Sequence, residues 1–588
     1  MGIIVIIASA ALSAVVPLFL RRALDGMRAG KPLSYIWLLA GTMIGVTLLR
    51  GVGSYWKRQL LNGLSRSIEY DLRNDLFARL ELVDPTFYQR MRTGDLMARV
   101  TNDLSAVRMA AGPAIMYLAD TIFGGAFALV LMVTLSPTLT AVAAVPMLAL
   151  PVLGVVLGRF IHRRFEDVQA QFSDLTTLAQ ENLAGVRIVR AFRQEQAEIA
   201  RWAALNDAYL EKNMRLARLY AIMQPGFGIM AGFGMVAVVG YGGRLVVNGT
   251  ITVGSFVAFA MYLGMLTWPL IALGWVINLF QRGAASMARL LDILDAHTAL
   301  GEAPAPRALP APAGEGRTLE FRDVGFHYPK PSPGDEPRWV LRHVSFTAPA
   351  GATVGVVGAT GSGKSALMDL IPRLFDPQEG EILLDGVPIG ELSLSELRGE
   401  VGYVPQESFL FSDTIGHNLA YGTTDLEAGK WAAGIAQLSA TVEAFPGAYD
   451  TLLGERGINL SGGQKQRAAL ARALARKPKV VLLDDALSAV DTHTEAEILH
   501  ALRTALAGRT ALIASHRVSA IRDATWIIVL DDGAVVEQGT HDALLAAHGR
   551  YWALLNRQQL EDAIDAGDAS SDGDDTLAET VTGSTFRE

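Results

Sequence analysis

A glycine-rich segment that ends in lysine and serine carries the strongest chemical signal in the sequence. It follows a short apolar run at 353–357 and precedes an apolar helical pattern at 366–370. The glycines let successive backbone N–H groups turn toward one anion, Lys364 adds a positive charge, and the Ser365 hydroxyl is a ligand for Mg²⁺. The order of strand, loop and helix therefore predicts a site for nucleotide phosphates. The segment consists of Gly358, Ala359, Thr360, Gly361, Ser362, Gly363, Lys364 and Ser365.

An acidic residue ends a second apolar strand. The pattern at 480–483 predicts a buried strand, and Asp484 follows it directly. A carboxylate in this position can hold a nucleotide-bound Mg²⁺ from the side opposite the loop serine. The two segments together predict a mostly parallel α/β sheet that binds phosphates and Mg²⁺ at one edge.

A third segment lies between these two and opens a long alanine-rich helical pattern. Its residues are Ser461, Gly462, Gly463 and Gln464. A helix N-terminus with small residues and a hydroxyl group can bind an anion. The same serine can equally be an ordinary N-cap that stabilises the helix. The residues alone leave both roles open.

The first half of the chain holds the long apolar runs that a membrane requires. A spanning helix needs roughly 20 apolar residues. The run at 121–158 is long enough for two helices, with a turn predicted at Ser136 and Pro137, and the last run begins in a polar loop around Asn248. The total is six predicted spans. Uncharged runs occur at 2–20, 36–49, 121–158, 219–243 and 245–281.

The charged connections predict the orientation of these spans. Segments 57–110 and 161–217 are rich in arginine, and positively charged connections stay on the cytoplasmic side. Residues 1–20 lack the basic leader and the cleavage site of a signal peptide, so they are predicted to span. Asp120 is expected at the cytoplasmic end of the third span, with a structural role.

Composition divides the chain into four parts. Residues 1–298 form the predicted transmembrane domain, with six helices and long cytoplasmic extensions. Residues 299–317 form a linker rich in Ala and Pro, and residues 318–560 form a soluble α/β domain. Residues 561–588 are acidic and predicted to be disordered.

Charge and cysteine content exclude several classes of protein. The formal net charge of −8 gives no reason to expect nucleic-acid binding. The chain has no cysteine, which excludes disulfides, thiol catalysis and thiolate metal sites.

The combination of six spans, the glycine-rich loop, the 461–464 segment and Asp484 resembles the ATP-binding cassette transporters. The domain order is similar to that of bacterial exporters, and the resemblance extends to about residue 557. It implies a membrane all-α six-helix domain joined to an α/β P-loop nucleotide-binding domain. It also implies that ATP lies between the loop of one chain and the 461–464 segment of another. The expected partner is thus a second half-transporter chain.

The resemblance implies roles for four further residues. Tyr328 matches the aromatic residue that stacks on adenine, and Gln406 matches a glutamine that contacts Mg²⁺ and assists catalysis. Asp491 lies in a loop that contacts nucleotide, and His516 matches a histidine required for hydrolysis.

Asp485 departs from the family pattern, in which a glutamate orients and activates the attacking water. Aspartate is one methylene shorter, and a general base must reach the water by a hydrogen bond. A displacement of about 1 Å can cost on the order of a hundredfold in rate. ATP hydrolysis at this chain's own site is therefore expected to be slow, similar to that of the subunit with the impaired site in heterodimeric exporters. His516 is retained, so a slow homodimer is the alternative.

The predicted function is ATP-driven export of a hydrophobic or amphipathic substrate (drug, lipid or peptide) across the cytoplasmic membrane. An alternative is an ATP-gated channel or sensor of the same fold. The two differ in whether substrate moves against a gradient in proportion to ATP hydrolysed. A soluble cassette ATPase that acts on DNA or ribosomes is excluded by the six spans and the acidic charge.

Overall fold

The structure is a computed structural model that describes residues 1–298, 300–312, 314–329, 336–454, 457 and 459–565. It divides into two compact units. The first comprises residues 1–82 and 92–296, and the second comprises residues 83–91 and those from His297 onward. The predicted disordered tail begins at residue 561, but a helix extends to Asp565. Residues 566–588 of that prediction lie outside the described residues.

Six long helices dominate the first unit. Each is long and apolar enough to cross a membrane, which matches the predicted number of spans. All of them extend beyond the roughly 20 residues that a bilayer needs. The helices of this part of the chain are α1 (Gly2–Arg28), α2 (Leu33–Leu82), the short α3 (Pro85–Arg90), α4 (Thr93–Leu135), α5 (Pro137–Ala184), the short α6 (Val186–Ala191), α7 (Glu195–Val247) and α8 (Val253–Leu294).

Local chemistry sets the breaks between these helices. The Ser136 hydroxyl accepts a hydrogen bond from the Leu139 backbone N–H at 3.3 Å, and Pro137 occupies the first turn of α5. The Thr252 hydroxyl accepts the Ser255 backbone N–H at 3.0 Å and caps α8. Gly249 adopts a φ of +70° between α7 and α8, a conformation that glycine takes without strain. Both turns fall where the sequence predicts them.

Helix α8 is joined to two other helices by polar contacts. The Asp25 carboxylate accepts the Gly254 backbone N–H at 2.9 Å, at the start of α8. The buried Tyr262 hydroxyl donates to the Ala14 carbonyl of α1 at 2.6 Å. The Asp103 carboxylate of α4 accepts a hydrogen bond from Arg289 Nε at 2.7 Å. These bonds fix the register of α8 against α1 and α4.

The described residues of the second unit form ten strands and a set of shorter helices. The strands are β1 (Leu319–Phe326), β2 (Leu341–Ala348), β3 (Thr353–Val357), β4 (Glu379–Leu384), β5 (Val387–Pro388), β6 (Val401–Val404), β7 (Val480–Asp484), β8 (Thr510–Ser515), β9 (Trp526–Asp531) and β10 (Ala534–Gly539). The α-helices are α9 (Lys364–Leu370), α10 (Leu394–Glu400), α11 (Ile415–Leu419), α12 (Leu426–Ile435), α13 (Ser439–Glu443), α14 (Gly462–Ala475), α15 (Thr492–Ala505), α16 (His541–Ala546) and α17 (Arg550–Asp565).

These strands form two sheets. An antiparallel four-stranded sheet has the order β2-β1-β4-β5, and a six-stranded sheet has the order β10-β9-β3-β8-β7-β6. In the larger sheet, β9, β3, β8, β7 and β6 are parallel and only β10 is antiparallel. The buried strands β3 and β7 are the two that the sequence predicts. The second unit is thus the expected α/β P-loop domain.

Arg317 precedes β1 and connects three parts of this unit. Its guanidinium contacts Asp385 at 2.8 Å and Glu400 at 3.2 Å, and only 4% of its side chain is exposed. Arg322, within β1, also contacts two carboxylates, Glu320 and Glu381, but 51% of its side chain is exposed. The two arginines therefore differ in burial while having the same number of acidic partners.

We expect Arg317→Ala to lower the thermal unfolding midpoint of the full chain in detergent by several degrees. Removal of the arginine leaves the largely buried Asp385 carboxylate without its counter-charge and leaves Glu400 only the more distant Lys479, at 3.9 Å. Breaking a buried ion pair in this way costs about 3 kcal/mol. Arg322→Ala is the matched control and should shift the midpoint little, because exposed ion pairs contribute little to stability. Equal shifts for the two variants would contradict this account of the pairing.

Candidate nucleotide site

Four adjacent parallel strands end at the same edge of the larger sheet. Strand β3 leads into the glycine-rich loop at residue 358, and β7 ends at Asp484. Strand β8 leads to His516, and β6 leads to Gln406. Because parallel strands present their carboxyl ends together, the strand order β3-β8-β7-β6 brings these residues to one place.

The loop after β3 has no room for side chains at two of its glycines. A Cβ atom on Gly358 would lie 2.2 Å from the Leu530 carbonyl oxygen, and one on Gly363 would lie 2.9 Å from the Val340 carbonyl oxygen. Gly363 also has a φ of +102°, which side-chain-bearing residues rarely adopt. The loop is therefore closely packed on one side. Its N–H groups precede the N-terminus of α9, where anions bind well.

Lys364 lies in this loop with its ammonium group directed at loop carbonyls. The Nζ atom donates to the Gly358 carbonyl at 2.8 Å and to the Ala359 carbonyl at 3.0 Å. Burial lowers the pKa of Lys364, and the neighbouring carboxylates of Asp485 and Asp484 oppose that shift. The Ser362 hydroxyl is also buried and has no hydrogen-bond partner among the described residues. A buried lysine and an unpaired donor beside a helix N-terminus fit the phosphates of a nucleotide.

Asp484 lies behind the loop and is almost fully buried. Burial raises the pKa of Asp484, a hydrogen bond with Ser365 opposes the shift, and the charges of Asp485 and Asp369 add to it. The Tyr403 hydroxyl donates to Asp369 at 2.8 Å. Burial likewise raises the pKa of Asp369, which the Tyr403 bond opposes. The charges of Asp369 and Asp485 thus act on Asp484 in a buried place, where a bound cation would offset them.

Asp485 and His516 contact each other. The His516 Nδ1 atom lies 2.9 Å from Asp485 Oδ1, and the His516 backbone N–H donates to that oxygen at 3.1 Å. Asp485 has a φ of 46°, in the left-handed region that residues other than glycine rarely occupy. Both bonds go to one oxygen, so the short carboxylate is turned toward the histidine.

A cavity of about 390 Å³ lies at this edge of the sheet. The structure brings nine of the predicted residues together in its wall. They are Tyr328, Thr360, Gly361, Gly363, Lys364, Ser365, Gln406, Asp485 and His516. Burial raises the pKa of the Tyr328 hydroxyl, as expected for a ring that is partly enclosed. Gly358, Ala359 and Ser362 belong to the same loop, and Asp484 lies beneath it.

The 461–464 segment and Asp491 are not among the described residues that line this cavity. Ser461 is the N-cap of α14, where its hydroxyl accepts the Gln464 N–H at 3.3 Å and the Gln464 side chain accepts the Ser461 N–H at 2.9 Å. Asp491 caps α15 through the Thr494 N–H at 2.9 Å. The capping role that the sequence left open is therefore present. Ser461 and Gly462 are also exposed, so anion binding by this helix end is compatible with it.

Sequence reasoning missed two residues that connect the cavity to α14. Ser488 lines the cavity, and its hydroxyl accepts a hydrogen bond from Gln466 Nε2 at 2.8 Å. The side-chain carbonyl oxygen of Gln466 accepts a hydrogen bond from the Ala489 backbone N–H at 2.8 Å. A Cβ atom on Gly463 would lie 2.7 Å from the Ala489 carbonyl oxygen. The position of Gln466 on the buried face of the helical pattern is the only sequence signal for this contact.

Comparison with known proteins places this geometry in one class. The profile of the ABC transporter transmembrane region matches residues 1–270, and that of the ABC transporter family matches residues 341–488. Full-length relatives agree with both matches. The chain belongs to the ATP-binding cassette transporter family. The activity of this chain is ATP hydrolysis coupled to transport.

Several relatives cover nearly the whole chain. It is 38% identical over 559 residues to the probable multidrug resistance ABC transporter ATP-binding/permease protein YheI of Bacillus subtilis, covering 94% of this chain and 93% of the relative. It is 40% identical over 539 residues to the multidrug resistance-like ATP-binding protein MdlA of Escherichia coli, and the match covers 90% of this chain and 88% of the relative. It is 33% identical over 557 residues to the ATP-dependent lipid A-core flippase of Syntrophus aciditrophicus, covering 94% and 91%.

A solved structure agrees with these relatives. The structure of a bacterial Atm1-family ABC exporter with ATP bound has a TM-score of 0.77 and 29% sequence identity, and the match covers 95% of this chain and 98% of that chain. The cassette therefore binds ATP, and the chain is a multi-pass membrane protein.

We expect Lys364→Ala to weaken ATP binding by roughly tenfold to a hundredfold, because it removes a charged hydrogen-bond donor to the phosphates. Equilibrium titration of the purified protein with a fluorescent ATP analogue measures the change. Lys430→Ala is the control, since Lys430 is an exposed lysine paired with Glu427 at 2.7 Å. Unchanged affinity in Lys364→Ala would contradict the assignment of the loop.

Proposed function

We propose that the chain is one half of a dimeric exporter that moves a hydrophobic or amphipathic compound across the cytoplasmic membrane. The observation that carries this proposal is the convergence of nine nucleotide-site residues on one cavity in a chain that also has six spanning helices. Relatives named for multidrug resistance and lipid A-core flipping support a drug or a lipid as the substrate class. The arginine-rich helix extensions support a cytoplasmic position for the cassette.

In this proposal the loop amides and Lys364 hold the outer phosphates, and Tyr328 stacks on the adenine ring. Ser365, Asp484 and Gln406 contribute to the Mg²⁺ site. The described residues contain no group of three or more His, Cys, Asp or Glu side chains arranged to hold a metal. Phosphate oxygens and water would therefore complete the Mg²⁺ shell, as is usual for this ion.

We further propose that the 461–464 segment completes the nucleotide site of the partner chain. The exposed N-terminus of α14 lies outside the cavity of its own chain, and its free N–H groups can bind phosphate oxygens. The partner is expected to be a different half-transporter chain, with a homodimer as the alternative.

Ser461→Arg should remove most of the steady-state ATPase activity of the assembled complex, because a bulky cation would obstruct the partner's site. The control is Ser393→Arg, which removes an equivalent N-cap from α10, where the Ser393 hydroxyl accepts the Glu396 N–H at 3.2 Å. ATPase assays on both purified complexes separate the loss of a cap from the loss of a shared site. Near-normal activity in Ser461→Arg would refute the shared site.

The nucleotide site built around Asp485 is proposed to hydrolyse ATP slowly. Its one-methylene-shorter carboxylate is turned toward His516, with one oxygen receiving both hydrogen bonds. That geometry limits the reach of the carboxylate to an attacking water.

Asp485→Asn should accordingly change the ATPase rate of the natural complex only slightly. Loss of a positioned general base typically costs 10²–10⁴-fold in rate. A small change in rate, expected for a slow site, is therefore easily told from the large loss expected if Asp485 is the working base. Asp485→Glu should raise turnover by restoring reach, with His516 already present. Brisk hydrolysis by a purified homodimer that is lost in Asp485→Asn would show instead that aspartate is the working base.

Transport by reconstituted complex tests the proposed function itself. Inside-out proteoliposomes should accumulate a fluorescent amphipathic dye or a labelled lipid only when ATP is supplied, and in proportion to ATP hydrolysed. The Ser461→Arg complex, which should have lost most of its ATPase activity, serves as the energy-deficient control. ATP-dependent leakage down a gradient, without accumulation, would indicate a gated channel.

A further inference from the structure

A second cavity, of about 430 Å³, lies within the first unit among α1, α2, α4 and α8. Its wall differs from the nucleotide site in combining charged and apolar side chains inside the membrane-spanning part of the chain. The residues that matter are Arg50 and Lys57 of α2, Asp120 of α4, and Met261, Met265 and Trp268 of α8. The sequence predicted only a structural role for Asp120.

The depth of these residues follows from helix geometry. Asp120 lies fifteen residues before the end of α4 at Leu135, which corresponds to roughly 22 Å along the helix. Met261 lies eight residues after the start of α8 at Val253, or roughly 12 Å. Since the hydrocarbon core is about 30 Å thick, both residues lie at depths within it.

Arg50 is placed at this depth by contacts between α1 and its neighbours. A Cβ atom on Gly53 of α2 would lie 3.6 Å from the Ser9 side chain of α1. The Tyr262 hydroxyl of α8 donates to the Ala14 carbonyl of α1 at 2.6 Å. Arg50, one turn from Gly53, therefore lies at a level between these two contacts. A charged arginine at this depth is costly unless it faces a cavity or a counter-charge.

The charges on the cavity wall do not cancel. Lys57 Nζ donates to both Asp120 carboxylate oxygens, at 2.8 and 2.6 Å, so that pair is neutral as a unit. Within the described parts of the chain, the Arg50 guanidinium has no ion pair or side-chain hydrogen bond. The wall therefore has one uncompensated positive charge, and its only carboxylate already has a partner.

The remaining wall is apolar. Met261, Met265 and Trp268 lie on consecutive turns of α8 and line the cavity. Methionine side chains are flexible and adapt to ligands of different shape, and tryptophan presents a large apolar face. A ligand with an apolar body and one charged group fits such a wall.

We propose that this cavity binds amphipathic anions, with a carboxylate, sulfate or phosphate group on the Arg50 guanidinium and the apolar body against Met261, Met265 and Trp268. This inference rests on the proposed export function, because it names the substrate class of that function. An amphipathic cation is disfavoured, since it would meet the Arg50 charge and would have to displace Lys57 from Asp120.

A matched set of fluorescent probes tests the charge preference directly. The probes are 11-(dansylamino)undecanoic acid, its uncharged primary amide and the amine of the same chain, added without nucleotide to the purified complex in nanodiscs of zwitterionic lipid. We expect the acid to bind roughly tenfold to a hundredfold more tightly than the amide. Arg50→Gln should abolish that difference and leave amide affinity unchanged. Equal affinities in the wild type, or an equal loss for all three probes in Arg50→Gln, would overturn the proposal.

Two further variants guard against an unfolded mutant. Arg244→Gln removes another exposed arginine, near the end of α7 and outside the cavity wall, and should leave all three affinities unchanged. Lys57→Gln frees the Asp120 carboxylate and removes one positive charge. It should therefore raise affinity for the amine and lower affinity for the acid. An unchanged affinity for the amine in Lys57→Gln would contradict the proposed role of the Lys57–Asp120 pair in disfavouring cations.

Two more measurements separate related outcomes. Competition by phosphatidylglycerol added to the nanodiscs would identify the anion as a lipid headgroup. A lack of competition would identify the anion as a free acid, and the anion site is retained in either case.

Because probe binding requires no ATP, Arg50-dependent binding without ATP-driven accumulation would refute the export function and retain the site. Accumulation of probes regardless of their charge would retain export and refute the anion site.

Discussion

The parallel pairing of β3, β8, β7 and β6 is the constraint on which the rest of the cassette depends. Each strand contributes one loop to the same edge, and residues more than 150 positions apart in the chain, such as Lys364 and His516, line one cavity as a result. The pairing also buries Asp484 beside Lys364, so that opposite charges share a poorly hydrated place. Close packing around Gly358 and Gly363 then leaves no room for side chains at these two positions of the loop. The phosphate site is therefore a consequence of strand order more than of any single side chain.

A short segment after β7 joins this cavity to the start of α14. Ser488 lines the cavity while its hydroxyl is bonded to Gln466, and Ala489 packs against Gly463. Direct contacts therefore connect the wall of the cavity to the start of the exposed 461–464 segment. In a dimer whose two nucleotide sites are each formed by both chains, such a connection would let one site sense the state of the other. The slow site proposed around Asp485 would then serve as a regulatory site.

Local patterns made most of the fold predictable, whereas long-range pairs did not. The glycine-rich loop, the acid after an apolar strand and the six apolar runs each depend on neighbours in sequence, and the structure contains all of them. The Lys57–Asp120 pair joins residues 63 positions apart, and the Asp25 bond to Gly254 joins residues 229 apart. No periodicity encodes such contacts. The short helix Pro85–Arg90 was also missed, because six residues carry too little pattern, although Asp84 and Pro85 form a recognisable helix start.

Trapping of hydrolysed nucleotide tests the central claim, that this chain's own site is slow while its 461–464 segment completes a competent one. The natural complex is incubated with a photoreactive ATP analogue, Mg²⁺ and vanadate, then irradiated, and the two chains are separated by size. We predict hydrolysis-dependent labelling of the partner chain, with little on this one, and loss of the partner's label in a Ser461→Arg complex. Labelling of this chain as strong as that of its partner, abolished by Asp485→Asn, would contradict the account.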